Sequence, residues 1–211
     1  FSNGYRIIHL GMSGRISIVN EKKSLLKHDH IDICFNVNGN KKILRYNDTR
    51  RFGAMIWTDD NPSNHKLIAT LGPEPLSDEF NADYLYEIVK RKKQPIKSTI
   101  MDSHSVVGVG NIYASESLFL ASIRPQRRSQ KIKKKEISIL VDSIKMVIQK
   151  AIERGGSTLN DFFSVNGQSG YFQNEHNVYG RENESCNKCE GRIYQLRIAQ
   201  RSSFYCKNCQ V

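Results

Sequence analysis

Four cysteines near the end of the chain form two CxxC pairs, Cys186-Asn187-Lys188-Cys189 and Cys206-Lys207-Asn208-Cys209, separated by 16 residues. Each pair sets two thiolates on one tight knuckle, and two knuckles complete a tetrahedral four-sulfur shell of the kind that holds structural zinc. Such a shell has no open position for water. One Zn2+ ion is therefore expected to contribute folding energy to a segment too short to stabilise itself by burial. Arg192, Arg197 and Arg201 lie between the knuckles, with Ile193, Tyr194 and Phe204 as filler; arginines on such a hairpin suit phosphates or a groove. The fifth cysteine falls in the run Ile33-Cys34-Phe35 and reads as a small core residue.

A second constellation is Val106-Val107-Gly108-Val109-Gly110-Asn111-Ile112-Tyr113-Ala114-Ser115-Glu116. Two glycines in a tight turn open a helix near Asn111, whose free N–H groups and positive dipole end make a phosphate site. Alone, such a turn usually marks nothing more than a helix start. Here basic runs flank it: Lys90 to Lys93 and Lys97 before, then Arg124, Arg127, Arg128, Lys131 and Lys133 to Lys135 after. That context points to a helical DNA-binding element. A third pairs His9-Leu10-Gly11-Met12-Ser13-Gly14 with Tyr46-Asn47-Asp48-Thr49-Arg50-Arg51-Phe52-Gly53. Methionine and phenylalanine beside loop glycines are more often packing residues than tools. An exposed Met, Arg and Phe on adjoining loops would instead make a wedge for the base stack, filling the void left by an extruded base.

The elements that must position these groups change period along the chain. Tyr5 to Leu10, Arg15 to Val19, Ile31 to Val37, Lys42 to Tyr46 and Ala54 to Thr58 are short β-branched or aromatic runs. Turn residues separate them, so they read as an antiparallel meander with Asn38-Gly39 the strongest hairpin signal. Their apolar content asks for a second layer, hence part of a β-sandwich. A linker with Pro62, Gly72, Pro73 and Pro75 follows. Helical spacing then appears at Tyr84, Leu85, Ile88 and Val89, and again from Ile137 to Ile152, a helix ending at Gly155-Gly156. A polar loop from Ser164 to about Tyr179 has few apolar anchors and is expected to be mobile. The expected divisions are residues 1–60 for the sandwich part, 61–80 for the linker, 81–180 for the helical DNA-binding domain with its loop, and 181–211 for the metal hairpin.

Bulk composition agrees with a polyanionic partner. Thirty-two Lys and Arg against 21 Asp and Glu leave a formal charge of +11. Each phosphate that such a surface neutralises releases a counterion and adds salt-dependent affinity. With 38% hydrophobic and 25% charged residues, the 211-residue chain has a globular balance, and no apolar run approaches the roughly 20 residues of a membrane helix. The CxxC pairs favour a reducing compartment, and Phe1-Ser2-Asn3-Gly4-Tyr5 has neither the basic start nor the apolar centre of a signal peptide.

His9 to Gly14, Arg45 to Gly53, Val106 to Glu116, Gly170-Tyr171-Phe172, Val178-Tyr179-Gly180-Arg181 and Ala199-Gln200-Arg201 through Cys209 occur in one order along nearly the whole chain. Together they closely resemble the bacterial formamidopyrimidine-DNA glycosylase family. The resemblance implies an α+β, multi-domain fold: part of an antiparallel β-sandwich, a helical domain with a helix–two-turns–helix element, and a C-terminal β-hairpin zinc finger. It implies a monomeric, bacterial cytoplasmic enzyme acting on damaged double-stranded DNA. Such an enzyme excises oxidised purines such as 8-oxoguanine and formamidopyrimidines, then cuts the abasic strand by β,δ-elimination.

Residue by residue, the resemblance makes Met12, Arg50 and Phe52 the void-filling trio, with Arg50 facing the orphaned cytosine and Phe52 wedging the stack. It makes His28, Arg50 and Lys93 DNA contacts, His9 and Asn111 phosphate contacts, and Tyr179 part of the DNA-binding set. Arg201 matches the zinc-finger arginine that clamps phosphates and donates a proton in the δ step, and Ser164 to Tyr179 matches the loop over the flipped base. The family's nucleophile is the amine of an N-terminal proline, followed by a glutamate acid and a β-elimination lysine; this sequence is expected to start after all three and, alone, to bind DNA without cutting it. An endonuclease VIII-like enzyme for oxidised pyrimidines and a non-catalytic zinc-ribbon DNA-binding protein are the competing readings.

Overall fold

The first five strands follow the short apolar runs: β1 (Tyr5–His9), β2 (Gly14–Val19), β3 (Asp29–Val37), β4 (Asn40–Asp48) and β5 (Ala54–Thr58). All pair antiparallel, β1 with β5 in one sheet and β2-β4-β3 in another. Asn38 and Gly39, at φ 50° and 81°, make the two-residue turn between Val37 and its partner Asn40. A turn with both central residues left-handed matches the right-handed twist of its strands, and Asn-Gly adopts it with little strain. The computed structural model describes residues 3–19, 23–154 and 176–211. It divides into two units, one of residues up to Ala69 and one of Thr70–Glu153 with the chain from 176 to 211.

In the first unit β4 is the central strand of its sheet, and Ile43, Arg45, Tyr46, Asn47 and Asp48 are buried there. Arg45 is held by Asp32 at 2.8 and 2.9 Å, Asp29 at 3.3 Å and the Ser24 carbonyl at 2.9 Å. A buried guanidinium stripped of such partners would cost about 3–5 kcal/mol. One expectation fails here: Cys34 is exposed, not a core residue. Its strand, β3, lies at the edge of the sheet, paired on one side only, so half of its surroundings is open.

The second unit is helical at its centre. α1 (Ala82–Val89) starts at Asn81, whose side chain accepts the Tyr84 N–H at 3.0 Å and so satisfies one of the donors a helix start leaves free. α2 (Ile96–Ile100), α3 (Asn111–Leu120) and α4 (Lys134–Glu153) follow. Along α4, Ile137, Leu140, Val141, Ile144, Val147, Ile148 and Ala151 are buried. That spacing of three and four puts them on one face, which packs with Leu85, Val89, Ile96, Ile100, Ala114 and Leu118. Each fully buried Leu or Ile is worth about 1.5–3 kcal/mol. Turns and a short 3₁₀ segment, Ser129–Lys131, join α3 to α4, so the helix–turns–helix element is present. Last come β6 (Ile193–Ile198) and β7 (Arg201–Cys206), an antiparallel hairpin. The expected helix end at Gly155-Gly156, the Gly170-Tyr171-Phe172 motif and residues 164–175 of the expected capping loop lie outside the described residues. No helix among the described residues is long and apolar enough to cross a membrane.

Candidate nucleic-acid interface

In the first unit, His9 closes β1, the loop 10–13 carries Met12, and the loop after β4 carries Arg50 and Phe52. Met12 and Phe52 are 54% and 61% exposed, values that rule out a packing role and leave apolar surface ready to enter a base stack. The Arg50 guanidinium carbon lies 5.2 Å from the centroid of the Phe52 ring. At that distance the ring face attracts the cation and the pair presents a single flat, charged edge. The two loops touch through glycine: a Cβ on Gly11, at φ 63°, would meet the Phe52 carbonyl carbon at 2.7 Å. A Cβ on Gly53 would overlap the Tyr46 hydroxyl at 1.8 Å. Beneath both, the buried Asp48 carboxylate accepts from Ser13 Oγ at 2.6 Å, Arg50 N–H at 3.2 Å, Tyr46 OH at 2.9 Å and Gly53 N–H at 2.9 Å. These bonds, the Ser13 hydroxyl foremost, hold it well below the usual carboxylate range, while Tyr46 is pushed up to about 12 by burial and by Asp48. His28, half-buried at φ 79°, accepts the Asp48 N–H at its carbonyl at 3.0 Å, and His30 Nε2 donates to the Asp48 carbonyl at 2.8 Å.

In the second unit, Gly110 is the N-cap of α3 and makes no side-chain cap bond, so no side chain of the cap covers the positive end of the helix dipole. Asn111, the first helical residue, sends Nδ2 toward the Tyr179 hydroxyl at 3.4 Å; its Oδ1 is buried and accepts no hydrogen bond. Tyr179 is held edge-on by His176 and Phe204, with ring centroids 5.6 and 5.1 Å away. Burial lowers the His176 imidazole. One turn and a half into α3, the buried Glu116 accepts from Asn177 N–H and Nδ2, Val178 N–H and Tyr179 N–H at 2.8 to 3.0 Å. A carboxylate, which only accepts, is suited to four converging donors.

The hairpin turn is Ala199-Gln200, both left-handed at φ 46° and 63°, and it sets the exposed Arg201 across from Ile198. At the other end Cys186, Cys189, Cys206 and Cys209 bring their sulfurs within 4.8 Å of one another. Cys186 and Cys209 stand 3.9 Å apart and Cys189 and Cys206 3.4 Å. Sulfurs bound at about 2.3 Å around a tetrahedral metal lie about 3.8 Å apart, far beyond the length of a disulfide bond. Cys189 is held down to about 7, first by the Gly191 N–H, while burial pushes Cys206 and Cys209 up. Four sulfur donors at this spacing fit one metal ion, which would hold them as thiolates.

The expected contacts thus form separate groups: His9, Met12, His28, Arg50 and Phe52 in the first unit, Asn111 with Tyr179 and the Arg201 hairpin in the second. Lys93 is exposed in the turn after α1 and shares no hydrogen bond with the others among the described residues. Several residues of the basic flanks are internal ties instead of free cations. Arg124 bonds the Gln210 and Lys207 carbonyls at 2.8 and 3.0 Å, and Arg127 pairs with Glu136 at 2.6 Å. Lys97 is 1% exposed. The supporting roles of Asp48, Lys97 and Glu116 are not legible in the sequence, because a charged residue's type gives no sign of its being buried.

Exposed Met12, Arg50 and Phe52 on closely packed loops, a glycine-capped helix start and a cationic hairpin gathered by four cysteines suit a protein that holds nucleic acid. Residues 1–55 match the formamidopyrimidine-DNA glycosylase N-terminal domain and residues 71–163 the formamidopyrimidine-DNA glycosylase H2TH domain. The chain is 47% identical to a formamidopyrimidine-DNA glycosylase of Neisseria meningitidis over 214 residues, covering all of this chain and 77% of that protein. It is 51% identical to one from Legionella pneumophila over 207 residues, 98% of this chain and 74% of the relative. Among solved structures, the Lactococcus lactis Fpg bound to DNA containing N7-benzyl-Fapy-dG superposes with TM-score 0.86 at 33% identity, over 97% of this chain and 74% of that one. The Thermus thermophilus Fpg gives 0.84 at 31%, over 99% and 76%. The chain belongs to the formamidopyrimidine-DNA glycosylase family.

Proposed function

We propose that this protein is a base-excision-repair DNA glycosylase that releases oxidised purines, 8-oxoguanine and formamidopyrimidines, from duplex DNA and then cuts the abasic strand by β,δ-elimination. The observation that carries the reading is the exposed Arg50–Phe52 pair beside exposed Met12. Large apolar side chains on tightly bonded loops are costly to leave in water unless they have somewhere to go, and a vacated position in the base stack is such a place. Arg50 faces the orphaned base, whose hydrogen-bonding edge a guanidinium can read. Asn111 and the N–H groups of α3 take phosphate, as does Arg201, which also serves as proton donor in the last elimination step. The four-cysteine site holds one structural Zn2+; sulfur-only donors in tetrahedral spacing favour zinc over harder cations.

These side chains supply grip, wedge and charge, and the attacking group in this reading is an amine. Its attack on C1′ of the sugar would displace the base, which leaves with a proton, and opening of the C1′–O4′ bond with protonation of O4′ would then leave a Schiff base to the sugar. Borohydride trapping on 8-oxoguanine duplex with the complete gene product is the direct test. A covalent protein–DNA complex together with free 8-oxoguanine is expected. No complex on any damaged or abasic duplex would leave a DNA-binding protein without chemistry, and faster release of thymine glycol than of 8-oxoguanine opposite cytosine would favour an enzyme for pyrimidines.

A further inference from the structure

Met12, Arg50 and Phe52, the loop residues expected to fill the void, each either bond the same buried carboxylate or adjoin in sequence a residue that does. Ser13, next to Met12, donates to Asp48 Oδ1, and so does the Arg50 N–H; the Gly53 N–H, next to Phe52, donates to Oδ2. The Arg50 N–H also reaches Ser13 Oγ at 3.0 Å, closing a triangle across 37 positions of sequence. The Asp48 main chain adds His28, whose carbonyl accepts its N–H. Between the two anchored N–H groups sits Arg51 at φ 57°. A non-glycine residue in the left-handed region persists only where its surroundings over-determine it, and here one carboxylate grips the chain on both sides of it.

We propose that Asp48 is a positioning residue for lesion recognition: its carboxylate fixes the Met12 loop against the Arg50–Phe52 loop before DNA arrives. This inference rests on the glycosylase reading above. Four donors point at two oxygens, and a carboxylate accepts all four. An amide of the same shape offers one acceptor oxygen and an NH2 group, which must meet either the Gly53 N–H or the Arg50 N–H with a donor against a donor, although the Tyr46 and Ser13 hydroxyls can turn to accept. Pre-set loops lose little freedom when the wedge enters the stack, so the bonds stabilise the lesion complex selectively. Asp48 itself touches no DNA in this arrangement, being fully buried.

The test compares duplexes with and without a tetrahydrofuran abasic analogue opposite 2-aminopurine, a substrate that needs no bond cleavage. The parent protein is expected to prefer the abasic duplex, with a fluorescence change as the orphaned base is engaged. Asp48→Asn is expected to lower that preference about tenfold, and Ser13→Ala about threefold, in line with the loss of charge-assisted and ordinary hydrogen bonds. Phe52→Ala should lower preference in the parent but add little in the Asp48→Asn background, because the wedge there is already displaced. A merely structural defect would instead leave the two substitutions additive. Undiminished preference in folded Asp48→Asn overturns the inference; if that variant does not fold, undiminished preference in Ser13→Ala does. A parent with no preference for the abasic duplex would refute the glycosylase reading itself, a separate outcome.

Discussion

The Lys97 ammonium donates to the Ser203 hydroxyl at 2.7 Å and to the Ser202 carbonyl at 3.0 Å, so a lysine of α2 holds the strand that begins with Arg201. A cavity of about 180 Å³ beside it is lined by Met101, Asp102, Ile198 and Arg201. Burial, and then the Arg201 charge, push Lys97 down from 10.5 to about 7. The hairpin end that presents Arg201 is thereby anchored by a side chain whose charged form burial disfavours.

Between pH 7 and 10.5 the unfolded chain binds a proton at Lys97 that the folded chain does not. Stability from this residue therefore rises with pH across that window and is lowest below pH 7. Denaturant unfolding of the parent and Lys97→Met at pH 7 and pH 9 should show the parent gaining relative to the variant at pH 9. Thiolate and metal effects are common to both proteins and cancel in the difference. A difference that stays constant with pH would mean that Lys97 keeps its proton in the fold.

Glu116→Gln replaces an acceptor of four hydrogen bonds with a group that carries two donors of its own. Loss of about 3 kcal/mol is expected, since buried polar groups are left unpaired around it. Hydrogen exchange should speed up at the Val178 and Tyr179 amides, and DNA affinity should fall with the displacement of Tyr179 from Asn111. Protected amides in the variant would show that the segment is held by Arg181 and the aromatic cluster instead.

Arg201→Ala should weaken DNA binding about equally for all sequences. The slope of log affinity against log salt should shrink by about 0.9, the share of one phosphate. An unchanged slope would remove Arg201 from the interface.

Removing the metal should unfold the hairpin first. Apart from the four sulfurs, its core is a small cluster of Phe119, Val178, Ile193 and Phe204 with Tyr179 against it. Chelation, or Cys206→Ser, is expected to expose Arg197 and Arg201 to protease and to abolish most DNA affinity, while the α1–α4 core retains its helical circular dichroism. DNA binding that survives chelation would assign the grip to the rest of the chain.

Much of the candidate site was legible because its signals are local. Two CxxC knuckles, a Gly-x-Gly helix start and an Asn-Gly hairpin each depend on residues a few positions apart, and each appears where the spacing puts it. The exposure of Met12, Arg50 and Phe52 was less secure from composition, since methionine and phenylalanine pack inside proteins far more often than they stand in water. Family resemblance, not residue type, singled them out.

By itself, then, the sequence determined the main strand and helix runs, the cysteine cluster and the cationic character, which follow from periodicity, ligand chemistry and charge; the contacting side chains are what the resemblance implies. Tertiary structure decided which charges are tools and which are fasteners. Arg124, Arg127 and Lys97 are written like phosphate contacts yet are spent on the Gln210 carbonyl, Glu136 and Ser203. Asp48 and Glu116 look like surface acids yet lie at the centre of the loops and helix they organise. The reason is that a charge acquires its role from burial and from the groups brought against it, which include Ser13 at 35 positions from Asp48, Asn177 at 61 from Glu116 and Ser203 at 106 from Lys97, and no local pattern encodes those distances.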